Sequence, residues 1–132
     1  MRLMLGVVFM FHGAQKLFGA FDGPGLEGAA GFFETLGIPL PFASAVLAAL
    51  TEFGGGLLLI TGVAARLMAV PLTFTMLVAS FTAHGGAFAA QAGGMEYPLT
   101  LAVMSAVVAL TGPGAFVIPL GGKRAEAPAL AA

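Results

Sequence analysis

The chain has 132 residues, 59% hydrophobic and only 8% charged, with a mean hydropathy of +1.03. A soluble domain carries about 25% charged residues, so the composition excludes a water-covered globule and points to one integral membrane domain. The net charge of −1, with no basic cluster larger than Lys123-Arg124, excludes a nucleic-acid footprint, and the absence of cysteine removes disulfides, thiol redox chemistry, iron–sulfur clusters and thiolate zinc sites.

A helix crossing the hydrocarbon core needs about 20 apolar residues. Candidate spans occupy residues 3–18, 42–62, 67–83 and 97–111, the last closed by Gly112-Pro113-Gly114. The first stretch also has the outline of a cleaved signal peptide: Arg2, an apolar run, then Gly13-Ala14. Its polar side chains, however, continue a helical pattern through the would-be cleavage region. Between spans one and two, Leu26, Ala29, Ala30, Phe33 and Leu36 recur at three- and four-residue steps between Gly25 and Gly37. That pattern fits a short amphipathic helix in the outer interface or an ordered loop packed over the bundle. Pro71 falls in the first turn or so of span three, where proline costs little. The 85–94 stretch, "GGAFAAQAGG", reads as a flexible re-entry, and "GGKRAEAPALAA" after Pro119-Leu120 as disordered. The expectation is an all-α fold. It is a four-helix transmembrane bundle with a short interfacial helix between spans one and two, occupying residues 1–120, with 121–132 as a disordered cytoplasmic tail.

Four spans place both termini and the 62–67 turn on one side, which carries Arg2, Arg66, Lys123 and Arg124. The other side carries Asp22, Glu27 and Glu34, with Lys16 at its edge. Positive residues in short loops stay in the cytoplasm, so both termini are predicted to be cytoplasmic.

At a rise of 1.5 Å per residue, His12 lies roughly 15 Å and Lys16 roughly 21 Å from the cytoplasmic side, and Glu52 roughly 15 Å from the outer side. His84 falls at the outer end of span three and Glu96 at the outer start of span four. Every span therefore sends ionisable groups into the outer half. His12, Gln15 and Lys16, at i, i+3 and i+4, share one helical face and are expected to partner Glu52 and Glu96. An acid at mid-membrane is costly unless paired, protonated or hydrated, and such groups mark interior cavities. Gly54, Gly55 and Gly56 follow Glu52 directly and predict a close helix crossing or a locally opened backbone beside it. The plainer reading of the same residues is a buried ion pair that only fixes helix register, with Lys16 snorkelling. His12, Gln15, Lys16, Glu52, His84 and Glu96 are the candidate pocket residues, and no metal site is expected. A weak internal echo relates "HGAQKLF" to "HGGAFAA" and "EFGGGLLLITG" to "EYPLTLAVMSAVVALTG", the pattern two duplicated helical hairpins would leave.

In order along the chain, "FHGAQKLFG", "FFETLGIPLP", "TEFGGGLLLITGVAAR", "AHGG", "GGMEYPL" and "ALTGPG" resemble the DoxX family of small bacterial membrane proteins, over residues 6–116. Family members often continue after Gly-Pro-Gly into a Ser-containing stretch ending in Asp. This chain reads Ala115-Phe116-Val117-Ile118-Pro119, so no role of that Asp carries over. The resemblance implies a four-helix bundle in the bacterial inner membrane and a loose connection to respiratory or redox complexes. Some relatives resemble subunits of thiosulfate:quinone oxidoreductase, and others are linked to oxidative-stress complexes containing a superoxide dismutase.

Three functions follow as expectations. The first is an accessory subunit of a membrane redox system whose outer-half pocket holds a quinone or small molecule; its partners would be the bilayer and other redox subunits or further copies of itself. A quinone headgroup needs hydrogen-bond donors and proton-exchanging groups near the interface. The alternatives are a small proton-coupled transporter, with Glu52 titrating as substrate moves, and a non-catalytic scaffold. A bis-histidine haem on His12 and His84 is disfavoured by their different depths.

Overall fold

The computed structural model describes residues 1–118, and the expected 121–132 tail, with Lys123 and Arg124, lies outside them. The described residues form five α-helices and no strand: α1 (Arg2–Phe18), α2 (Gly25–Thr35), α3 (Pro41–Thr61), α4 (Ala65–Thr82) and α5 (Glu96–Thr111). Local chemistry sets their ends. Proline opens α3, where its missing N–H is no loss. Gly19 (φ 63°) and Gly62 (φ 81°) close α1 and α3 in the left-handed conformation that glycine adopts without steric cost. α3 and α4 are each long and apolar enough to cross a membrane. α1 and α5 occupy the positions of spans one and four; with 17 and 16 residues they stand at and just under the lower limit of about 17 residues for a crossing.

Three expectations change. α4 begins two residues earlier than hydropathy suggested, so Pro71 lies inside it. The helix continues through the proline, although Pro71 cannot donate to the Leu67 carbonyl. The 85–94 stretch is an ordered turn and not a flexible re-entry: Met95 N–H bonds to Ala87 O at 3.0 Å and Glu96 N–H to Phe88 O at 2.9 Å. α3 also runs unbroken through Gly54–Gly56, so of the two outcomes predicted for those glycines only the close crossing occurs.

The helices pack chiefly in two pairs, α1 along α3 and α4 along α5, joined by α3 against α4. Glycine decides how close α1 and α3 come. A Cβ on Gly56 would sit 2.5 Å from Met10 N and 2.7 Å from Gly6 O, and one on Gly13 would overlap the Phe53 backbone. Leu5, Phe9, Leu59, Leu72, Leu101 and Val108 fill the core between the pairs.

After α1 the chain turns by 101° into α2. The turn uses left-handed conformations at Phe21 (φ 54°) and Asp22 (φ 58°), which are strained for residues with a Cβ. Stacking of Phe21 on Phe11, with ring centroids 4.8 Å apart, offsets part of that strain. α2 therefore folds back toward the other helices and packs on α3 and, less extensively, on α1. Glu27 and Glu34 remain exposed on its far side.

At the opposite end two arginines gather the last carbonyls of two helices. Arg2 donates to Ile60 O at 3.4 Å, to Pro113 O at 2.6 Å and to Phe116 O. Arg66 donates to Ala109 O and Leu110 O, both at 2.8 Å. Cations there satisfy carbonyls that have no partner within the helix and meet the negative end of the helix dipole.

Candidate ligand cavity

α1 presents Phe9, His12 and Lys16 along one face, and α3 presents Ser44, Leu47, Ala48, Thr51 and Glu52 at helical spacing opposite. α4 closes a third side from Pro71 to Thr82, α5 adds Tyr97, Pro98 and Leu101, and Phe32 and Phe33 of α2, with Leu36 just after it, form the roof. The cavity is partly open and measures about 850 Å³, within the range of about 300–1,000 Å³ typical of small-molecule sites.

Its polar floor is an ion pair. Lys16 Nζ lies 2.5 Å from Glu52 Oε2, joining α1 to α3 across 36 residues of sequence. Glu52 is 2% exposed, whereas the Lys16 side chain keeps 23% of its surface. The acid is thus the group committed to the interior, and the lysine reaches in from close to the end of its helix. Charge-assisted pairing at this distance offsets the desolvation of a carboxylate that otherwise has no reason to be there.

Beside the pair stands a second polar couple. Tyr97 Oη is 3.5 Å from His12 Nε2, at the outer limit of hydrogen bonding, and the two rings meet edge-on at 6.2 Å. Tyr97 was not among the sequence candidates. It is the chain's one tyrosine and opens the fourth apolar stretch, the position where an aromatic ring with a polar tip belongs. Its signal in the sequence is this position, beside the charged Glu96.

The six candidates divide. His12, Lys16, Glu52 and His84 line the cavity. His84 Nδ1 lies 3.0 Å from Ala79 O, so this ring is held by the end of its own helix and the two imidazoles are engaged separately. Gln15 instead lies under the bend after α1, where a Cβ on Gly23 would come within 2.5 Å of its own Cβ. Glu96 is exposed and accepts a hydrogen bond from Ala90 N–H at 2.9 Å. Glu96 therefore does not pair with the polar face of α1. As the first residue of its helix it finds backbone donors in the preceding turn before any side chain.

The family model described as DoxX matches residues 1–85, a stretch containing His12, Lys16, Glu52 and His84. The chain belongs to the DoxX family. A protein of Bacillus subtilis (strain 168) named "Putative oxidoreductase CatD" is 33% identical over 112 residues, which is 85% of this chain and 76% of that protein. No solved structure gives a significant match. This DoxX chain is accordingly a membrane protein, and its apolar helices contact the bilayer. Tyr97 and α5 lie beyond the stretch matched by the DoxX model.

Proposed function

We propose that this DoxX protein is an accessory subunit of a redox or respiratory system in the bacterial inner membrane, and that its cavity binds a quinone or a small molecule of similar shape. In this reading residues 1–120 form one membrane domain in which α1, α3, α4 and α5 cross the bilayer. Both termini are cytoplasmic, and α2 lies in the outer interface. Support for the orientation comes from Arg2 and Arg66, which share one end, while Asp22, Glu27 and Glu34 share the other.

The observation that carries the ligand reading is the junction of the His12–Tyr97 couple and the buried Lys16–Glu52 pair in one largely apolar cavity. An aromatic carbonyl headgroup wants apolar walls for its ring and a few donors for its oxygens, and His12, Lys16 and Tyr97 are such donors. The oxidoreductase named for the Bacillus relative agrees in direction. A scaffold role is the second reading, favoured by the way the Lys16–Glu52 pair ties α1 to α3.

The chain carries its own reporter. With one tyrosine and no tryptophan, emission excited beyond the phenylalanine absorption band comes from Tyr97. Titration of the detergent-solubilised protein with a tail-free methoxy-substituted benzoquinone should quench that emission saturably. His12→Ala should weaken binding by about two- to tenfold, the loss of one hydrogen bond. Linear, collisional quenching that is unchanged in His12→Ala would refute the quinone reading and leave the scaffold.

A further inference from the structure

The cavity changes character along its length. Its inner end is ionic and almost closed, with Glu52 at 2% exposure. Of its large lining side chains, Leu47 of α3 and Phe74 of α4 are the most exposed, at 68% and 67%, ahead of Phe32 at 52% and Tyr97 at 47%, and they face out of the protein. They belong to the two helices that are each long and apolar enough to cross a membrane. The short turn at 62–64 ties these helices together at one end. The lining residues of α3 all lie between Ser44 and Glu52, in its other half. An opening at that height between two spanning helices meets acyl chains, not water. The roof supplied by Phe33 and Leu36 further separates the polar floor from the outer solvent.

We infer that the cavity is loaded sideways from the bilayer, and that its occupant is a prenylated quinone. The headgroup sits against Lys16, His12 and Tyr97, and the isoprenoid tail leaves between Leu47 and Phe74. This assignment rests on the quinone reading above and adds the tail, its exit and the direction of loading. The tail gains little attraction from the cleft itself, because lipid is as apolar as leucine. Its part is to concentrate the ligand in the membrane and to require an open passage. Obstruction of the mouth should therefore affect ligands with tails and spare those without.

Leu47→Trp and Phe74→Trp fill the mouth at exposed positions, where a larger apolar side chain faces lipid. Leu50→Trp, on an exposed face of α3 outside the cavity, is the control. Quinone retained per protein chain, from vesicles of a single phosphatidylcholine, is measured by solvent extraction and chromatography. The same headgroup is used without a tail and with a decaprenyl tail. Both mouth variants should lower retention of the tailed quinone by about tenfold or more, the effect of crowding a packed passage. The tail-free compound and the control should be unaffected. Equal retention of the tailed quinone in the mouth variants and the parent would overturn the lateral passage while leaving the headgroup site standing. Equal loss of both compounds would overturn it too, by making the mouth part of the headgroup site. Failure of the parent to retain either compound would overturn this inference together with the quinone reading.

Discussion

Loss of Lys16 should cost this protein more than loss of Glu52, although the two form one ion pair. In Lys16→Met the carboxylate of Glu52 stays where the fold puts it, 2% exposed, with Lys16 its only hydrogen-bond partner among the described residues. Removal of one partner of a buried pair typically costs about 3–5 kcal/mol. In Glu52→Gln an amide oxygen still accepts from Nζ. The lysine, already 23% exposed and two residues from the end of α1, can extend toward the interface. That change should cost about 1–2 kcal/mol. The double variant leaves no charge unpaired and should be more stable than Lys16→Met alone, with a coupling energy of about 2 kcal/mol. Unfolding in mixed micelles by titration with sodium dodecyl sulfate, followed by helical circular dichroism, measures all four proteins. Equal costs for the two single variants, or additive costs in the double, would refute both the burial asymmetry and the pairing.

The glycines of α3 should respond with opposite signs in the same titration. Gly56→Ala drives a methyl into the backbone of α1 and should destabilise by about 1–3 kcal/mol. Gly54→Ala meets nothing within 4 Å and should stabilise by up to about 1 kcal/mol through helix propensity. Glu96→Ala removes the acceptor of the Ala90 amide and should speed its hydrogen exchange by about fivefold, whereas Glu96→Gln retains an acceptor and should leave it slow.

Much of the architecture is a local property and can be read locally. Helix positions follow from apolar runs bounded by proline and glycine, so the helices at 2–18, 41–61, 65–82 and 96–111 begin and end within two residues of the hydropathy expectation. The choice of partner for Glu52 was less legible. Depth arithmetic brings His12, Gln15 and Lys16 close to the acid, but the rotation of α1 about its axis decides among them. That rotation is set where Gly6 and Gly13 let α1 settle on Gly56 and Phe53. The same rotation sends Gln15 under the turn and His12 toward Tyr97.

From the sequence alone came the membrane class, the family, the helix positions and the charge difference between the two ends. Each depends on composition or on residues near one another along the chain. The cavity belongs to the tertiary structure. It exists because a 101° bend at Gly19–Asp22 lays α2 over helices that meet only after folding. Its lining comes from five segments spread across residues 9–101. Such a volume is a relation between distant surfaces, and no local pattern encodes how five helices close around it.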